Sequence, residues 1–410
     1  MYKKVFMDTS VLLKTDKYNF KDFEKVNISI VSLEELDNLK SHEQKGYQAR
    51  QAIRNIKDAT NVEIKLNYKF TGANKFLMHN NDNTILAMAY ETCVQDNEFV
   101  FLSDDYNLII KAEALGMNCS LFEFKEEEFE TYTGIRETWL TEQEYVDLLE
   151  GLNKNPYNLY LNEYLIVNNI TSNEQYLFMW NGKSFEEVKT KPITNKYLDA
   201  KEKIQPLDVY QKAFIHMLQN DRVKIKITDS PYGSGKSYLM IHWALQMLEH
   251  REKFNKMYFV KSDSSPKGRK EFPAIPGGVE EKSAPLLGVL CDTTSEENIT
   301  DILLRNNKLE ILPIQFAKGR SLRKSILYIN ECQDFTPSEM ERLLSRVGED
   351  TVVLLDGSTH QIDNRYCFYR NGLSVASDNF KDKSIVAQVN MINDYRSEIS
   401  KMISQMNWHD

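Results

Sequence analysis

The stretch Ser230-Pro-Tyr-Gly-Ser-Gly-Lys-Ser237 decides how the second half of this chain folds. Just upstream, Val223–Thr228 alternates β-branched residues with lysines, the pattern of a strand. Just downstream, Leu239, Met240, Trp243, Ala244, Met247 and Leu248 recur at helical spacing across Ser237–His250. A glycine-rich turn between strand and helix wraps backbone N–H groups around a phosphate, with the helix N-terminus aimed at it. Gly233, Ser234 and Gly235 supply that turn. Lys236 is placed to reach the β- and γ-phosphates, and Ser237 to offer a hydroxyl ligand to Mg²⁺. The pattern G-x-x-x-x-G-K-[ST] is met except at its first glycine, which is Ser230.

At 410 residues the chain exceeds one ordinary core, so two or three domains are expected. No uninterrupted apolar run approaches the length of a membrane span, and Met1-Tyr-Lys-Lys leads into a strand rather than a signal peptide. The five cysteines are scattered with no C-x-x-C pair, which argues for reduced thiols in the cytoplasm and against zinc or a disulfide framework. A net charge of −9 argues against a protein that coats nucleic acid indiscriminately. It leaves room for a local basic surface or a metal-bridged site.

In the first third, Val5-Phe-Met-Asp-Thr-Ser-Val-Leu-Leu13 is expected to be a buried strand that ends in Asp8 and turns into a helix. Val26–Val31 is a second strand, followed by a helix capped at Ser32 and carrying Glu34 and Glu35 in its first turn. Gly46–Lys57 is a basic amphipathic segment, with Arg50, Arg54 and Lys57 on one face. A further helix opens around Asp82, and Phe99–Asp105 is a strand that ends in Asp104 and Asp105. In a parallel α/β sheet these positions converge at the carboxyl edge of the strands. Clustered carboxylates repel one another unless a cation sits among them, and hard oxygen ligands suit Mg²⁺ or Mn²⁺. Such a site activates water for attack on a phosphodiester.

This ordered set resembles the PIN-domain nucleases over roughly residues 1–125. The residues that carry the likeness are Asp8 in F-M-D-T-S-V-L-L, Glu35 in L-E-E-L-D, Asp82 in N-D-N-T-I-L-A-M-A, and the acidic pair in L-S-D-D-Y-N-L. The resemblance implies that Asp8, Glu35, Asp82 and Asp105 hold the metal, with Asp104 or Ser103 assisting. Spacing alone leaves Glu34 as an alternative to Glu35. It also implies single-stranded RNA as the substrate.

Residues 126–203 change character. Tyr164–Val167 and Gln175–Trp180 read as strands, and Asn181-Gly182 is a hairpin signal, so a small β-rich module and a linker are expected. Its aromatics Tyr157, Tyr160, Tyr164, Tyr176, Phe178 and Trp180 suit either the stacking of bases or the core of the module.

Residues 204–410 hold the remaining chemistry. Gln211, just before the helix Lys212–Leu218, is placed to hydrogen-bond an adenine edge. Pro273–Pro285 gives the unusual run P-A-I-P-G-G-V-E-E-K-S-A-P, too particular for a mere connection. Ser325–Glu331 is a strand whose terminal Glu331 is positioned as a general base toward water. Thr351–Leu355 is another strand, and Gln361 beyond it is a candidate sensor of the γ-phosphate. Arg396 and Arg346 are candidates for stabilising transition-state charge.

These blocks, with L-P-I-Q-F-A-K-G-R, N-E-C-Q-D-F-T-P-S-E-M and H-Q-I-D, resemble the PhoH ATPases, which share a core with superfamily-1 helicases. The whole chain looks like a PIN–PhoH fusion of class α/β. Its expected parts are an N-terminal PIN-like parallel sheet with helices, a small β-rich middle module and a C-terminal P-loop NTPase. The likeness implies ATP and Mg²⁺ (or Mn²⁺) as cofactors, RNA unwinding and cleavage, and a homo-oligomeric ring. Alternatives are a nuclease with a slow nucleotide-gated clamp, and a nucleic-acid-binding scaffold with neither activity.

The departures from the PhoH pattern cluster. Asn330 stands where a Walker B aspartate is usual, and Gly357-Ser358-Thr359 where Gly-Asp-Pro is usual. Asp356, one step before that glycine, is the nearest carboxylate able to compensate for Asn330. Lys224 and Lys226 fall in a strand that the fold buries on both faces, where a lysine is costly unless it reaches water.

Overall fold

The computed structural model describes residues 2–14, 18–42, 45–67, 80–122, 132–198, 202–249, 253–262, 288–292, 294, 298–317, 319–364, 367 and 370–398. The run Pro273–Pro285 lies outside them. The chain divides into two compact units, Met1–Phe129 and Glu130–Asp410.

The first unit is a five-stranded, wholly parallel sheet in the order β3-β2-β1-β4-β5. Its strands are β1 (Lys4–Met7), β2 (Lys25–Ser29), β3 (Val62–Lys65), β4 (Phe99–Ser103) and β5 (Cys119–Leu121). Helices α1 (Thr9–Leu12), α2 (Ile30–Leu39), α3 (Gly46–Asp58), α4 (Asn81–Gln95) and α5 (Tyr106–Ala114) connect them. Two apolar clusters, around Val5, Ile28 and Leu36 and around Phe6, Ile85 and Phe101, pack on the sheet's two faces. Alternate residues of β1 therefore serve opposite layers. Helix α2 begins at Ile30, earlier than expected, because the Ser29 hydroxyl accepts from Val31 N–H and caps it; Ser32 is buried within the helix.

The second unit is built on a six-stranded parallel sheet in the order β12-β11-β13-β14-β10-β15. The strands are β10 (Ile225–Asp229), β11 (Lys256–Lys261), β12 (Leu309–Ile311), β13 (Ser325–Asn330), β14 (Val352–Gly357) and β15 (Val386–Gln388). Every residue of β13 and β14 is buried, as a strand covered on both faces requires. A smaller sheet, β6 (Ile135–Leu140), β7 (Tyr164–Asn169), β8 (Glu174–Trp180) and β9 (Phe185–Glu187), runs in that order, with β6 parallel to β7 and the rest antiparallel. Helix α6 (Glu142–Glu150) makes the β6–β7 crossover.

Tyr164, Ile166, Leu177 and Met179 of the small sheet share one apolar cluster with Phe214, Trp243 and Tyr328. Phe178 and Trp180 line a second cluster with Leu165 and Phe185. Most of these aromatics are thus core, while Tyr160 remains exposed.

Two helices flank the sheet near the glycine-rich turn, α7 (Val209–Gln219) and α8 (Lys236–Glu249). The two strand lysines part company here. Lys224 is exposed ahead of β10, whereas Lys226 is fully buried and donates to the carbonyls of Met217 (2.6 Å) and Asn220 (2.9 Å), with its ammonium 5.5 Å from the Trp243 ring centroid. It satisfies carbonyls at the C-terminal end of α7 that would each cost about 1–3 kcal/mol if left buried and unpaired. Burial holds its pKa well below the ordinary lysine value.

Candidate active sites

Asp8 follows β1 directly and caps α1, so the strand end itself delivers the carboxylate. It is 4% exposed, and Oδ2 accepts from the Ser10 hydroxyl (2.6 Å), the Ser103 hydroxyl (2.9 Å) and Ser10 N–H (3.3 Å). Ser103, at the end of β4, also accepts from Asp105 N–H (3.0 Å), so one hydroxyl spans Asp8 and Asp105. Asp105 in turn caps α5 by accepting from Asn107 N–H (2.7 Å). Glu35 is half-buried and accepts from the hydroxyl of Thr9, the residue beside Asp8, at 2.6 Å; Glu34 is exposed. That contact places Glu35 rather than Glu34 beside the strand ends.

The remaining acids stand further out. Asp104 is exposed and ion-paired with Lys14 at 2.7 Å. Asp82 is exposed in the first turn of α4, whose cap is Asn80, and no hydrogen bond among the described residues joins it to Asp8, Glu35 or Asp105. Among the described residues no three of His, Cys, Asp or Glu stand close enough to form a ready-made ion site. The donor set nevertheless fits a hard cation: Asp8 is buried, and no lysine or arginine among the described residues pairs with it.

In the second unit the glycine-rich turn has the backbone its sequence calls for. Gly233 and Gly235 sit at φ +81° and +86°, a region that side chains disfavour. Ser230 is absent from the positive-φ residues, which explains why it need not be glycine. Its hydroxyl instead bridges Thr228 Oγ1 (2.7 Å) and Met391 N–H (2.8 Å). Ser234 is buried, and its carbonyl accepts from Gln211 Nε2 (3.1 Å) while Gln211 Oε1 accepts from Leu207 N–H (3.0 Å). Gln211 therefore ties the glycine-rich loop to the segment that leads into α7. Lys236 is buried at the start of α8, its ammonium 4.9 Å from the Tyr232 ring centroid.

Ser237 Oγ donates to Asp356 Oδ2 at 2.6 Å. Asp356 is completely buried on β14, next to Asn330 of β13 in the strand register and opposite Thr228 of β10. The same oxygen accepts from Tyr328 (2.6 Å) and Asn330 Nδ2 (3.3 Å). The hydroxyl that donates keeps its lone pairs for a cation, so this arrangement fits Mg²⁺ beside Ser237.

Glu331 turns out of β13 in the left-handed region, φ 55° and ψ 51°, a conformation that costs a non-glycine residue about 1–3 kcal/mol. Burial raises its pKa above the usual glutamate value, against a hydrogen bond from Gln333 Nε2 (2.7 Å) that lowers it. Gln333 also donates to the Gln361 carbonyl (2.9 Å), and its Oε1 accepts from Ser358 N–H (2.9 Å). Asp334 accepts from the N–H groups of Asp363 and Asn364, pinning the loop after Gln361. Thr359 donates its N–H (2.7 Å) and hydroxyl (2.6 Å) to Asp229, and the first of these a proline could not supply. Arg396 is held in a two-pronged pair by Asp394, and Tyr395 N–H donates to the Gly233 carbonyl, so this segment lies on the loop. Arg346 lies instead after the helix Pro337–Leu344, where its Nε donates to the Arg342 carbonyl.

Gln333, Asp334, Asp229, Tyr328 and Asp394 escaped the sequence reading as site residues. The first two lie inside the N-E-C-Q-D block and were within reach. The others act across strands or loops and leave no local signal.

A strand–glycine loop–helix with lysine and hydroxyl in place, on a six-stranded parallel sheet, defines a P-loop nucleotide-binding unit. It follows a separate parallel α/β unit with acids at its strand ends. Residues 203–407 match the family described as PhoH-like protein, and residues 5–123 match the PIN domain. The chain belongs to the PhoH-like family and carries a PIN domain ahead of its PhoH domain. It is 24% identical over 449 residues to Protein PhoH2 of Bacillus subtilis (strain 168), covering 99% of this chain and 100% of that protein. Protein PhoH2 of Thermobispora bispora is also 24% identical, over 98% of this chain and 95% of its own length. A PhoH-like protein of Synechocystis is 28% identical over 43% of this chain and 53% of its own length.

Proposed function

We propose that this protein is an ATP-dependent RNA-processing enzyme. In this reading residues 1–125 are a metal-dependent endoribonuclease, 126–203 a small β-rich module with linker, and 204–410 a P-loop ATPase with helicase character. The observation that carries the reading is Asp8, a buried carboxylate at a strand end whose described partners are hydroxyl and amide donors. Mg²⁺ or Mn²⁺, when bound there, would lower the pKa of a water and so supply a nucleophile for the phosphodiester. Asp8, Glu35, Asp82 and Asp105 would hold that ion, with Asp104 or Ser103 assisting. Helix α3 offers Arg50, Arg54 and Lys57, all exposed, to the backbone of single-stranded RNA.

In the ATPase half Lys236 would neutralise the phosphates, Ser237 would hold Mg²⁺, Glu331 would take a proton from the attacking water, and Gln361 would report the γ-phosphate. Gln211 first braces the loop and then meets the adenine edge. Arg396 stabilises the transition state once it leaves Asp394. Among the described residues no helix is long and apolar enough to cross a membrane. The PIN–PhoH likeness adds to this reading a cytoplasmic enzyme that works on RNA as a homo-oligomeric ring.

The test is cleavage of single-stranded RNA in Mn²⁺, with and without ATP, by wild type, Asp8→Asn/Asp105→Asn and Lys236→Ala proteins. Equal cleavage by wild type and the double variant would overturn the nuclease assignment. The engagement of Arg396 by Asp394 favours a second reading, a nucleotide-gated clamp that turns over slowly. Tight ATP binding with negligible turnover would select it.

A further inference from the structure

Asp356 is an ionisable group at zero exposure, with no lysine or arginine paired to it among the described residues. A buried carboxylate in that position is costly unless donors and a cation compensate. The donors are present: Ser237, Tyr328 and Asn330 all converge on Oδ2. The other oxygen, Oδ1, has no hydrogen-bond partner among the described residues. Two further buried oxygens close by are in the same condition: Oδ1 of Asn330, next to Asp356 in the strand register, and Oγ of Ser358, two residues along the chain. Three buried oxygens without partners, at the carboxyl ends of adjacent strands and beside the loop hydroxyl, are a donor set for a hard divalent cation and its waters.

Building on the nucleotide-binding reading, we propose that Asp356 of β14 is the carboxylate that holds Mg²⁺ at the phosphate loop. It takes the place left by Asn330 on β13. Asn330 keeps a positioning role: its amide donates to Asp356 Oδ2, which turns the substitution from a lost charge into an oriented one. Ser237 completes the arrangement, since its proton is committed to Asp356 and its lone pairs are free.

The experiment measures the affinity of a fluorescent ADP analogue in Mg²⁺ and in EDTA, for wild-type, Asp356→Asn and Tyr328→Phe full-length proteins, with melting curves to verify folding. The readout is the ratio of the two affinities. Asp356→Asn, which keeps the shape and removes the charge, is expected to lower that ratio about tenfold or more. Tyr328→Phe, which removes one donor from Oδ2 and no charge, is expected to lower it by about threefold, and it decides the matter alone if Asp356→Asn does not fold. An unchanged ratio in the folded variants would overturn the assignment while leaving nucleotide binding intact. Absence of binding by wild type in both buffers would overturn the nucleotide reading and this assignment with it.

Discussion

Gln333 holds Glu331 by the side chain: its Nε2 lies 2.7 Å from Glu331 Oε2 and at the same time 2.9 Å from the carbonyl of Gln361. One buried amide thus ties the proposed base to the loop that carries the proposed γ-phosphate sensor. Replacing it with alanine removes a hydrogen bond to the ionised form of Glu331. Bonds to charged groups are worth about 1.5–3 kcal/mol, so ATP turnover by Gln333→Ala is expected to fall about tenfold or more. The Glu331 pKa, already raised by burial, rises further, and the acid limb of the pH–rate profile moves to higher pH. A lowered rate with an unmoved acid limb would deny Gln333 this role.

In the PIN unit, Ser103→Ala removes the hydroxyl shared by Asp8 and Asp105 without removing an acid. RNA cleavage is expected to need about tenfold more Mn²⁺ for half-maximal rate, since Asp8 loses a hydroxyl donor that orients its carboxylate. The Mn²⁺ titration of the cleavage rate reads this directly. A changed maximal rate at unaltered Mn²⁺ requirement would contradict it.

Arg396→Ala is expected to reduce ATP turnover by a factor of about 10³, the lower end for an arginine that meets developing phosphoryl charge. Arg396→Lys should not restore it, because a point charge cannot reproduce the planar fork. Steady-state turnover with saturating ATP separates these outcomes. A wild-type rate in Arg396→Ala would make the Asp394 pair purely structural.

His216 gives the second unit a pH-dependent stability. Its Nδ1 lies 2.9 Å from the Tyr164 hydroxyl, and burial, with Lys226 nearby, lowers its pKa from 6.5 to about 4. The unfolded chain takes up a proton near pH 6.5 while the folded one refuses it. The stabilisation is therefore complete above pH 6.5 and is lost as pH falls toward 4. Between pH 6.5 and 5 the loss is about 2 kcal/mol, and His216→Gln flattens that slope. Urea unfolding of the second unit's transition at several pH values measures it.

Much of this architecture is visible in the chain itself, because β-branched runs such as Ser325–Asn330 and Val352–Leu355 have one stable home, a strand buried on both faces. The acids Asp8 and Asp105 are legible for the same reason: they end strands. The start of α2 is less so, since Ser29 and Ser32 are both competent caps and only tertiary packing chooses between them. Lys226 defies a local reading entirely. Its partners are the carbonyls at the end of α7 and an aromatic ring on α8, none of which its neighbours in sequence announce. Asp356 is similar, being meaningful only once β13 and β14 are laid side by side.

Helix α7 is clamped at both ends. At its start Gln211 grips the Ser234 carbonyl, and Asp208 accepts from Asn393 and Tyr395, the latter lying on Gly233. At its far end Lys226 fastens the closing carbonyls to β10, and along its flank Tyr210 and His216 reach Glu137 and Tyr164 of the small sheet. Fastened at both termini, the helix has partners for the end groups that fraying would otherwise expose. The helix thereby forms one unbroken hydrogen-bonded link between the glycine-rich turn and the four-stranded sheet.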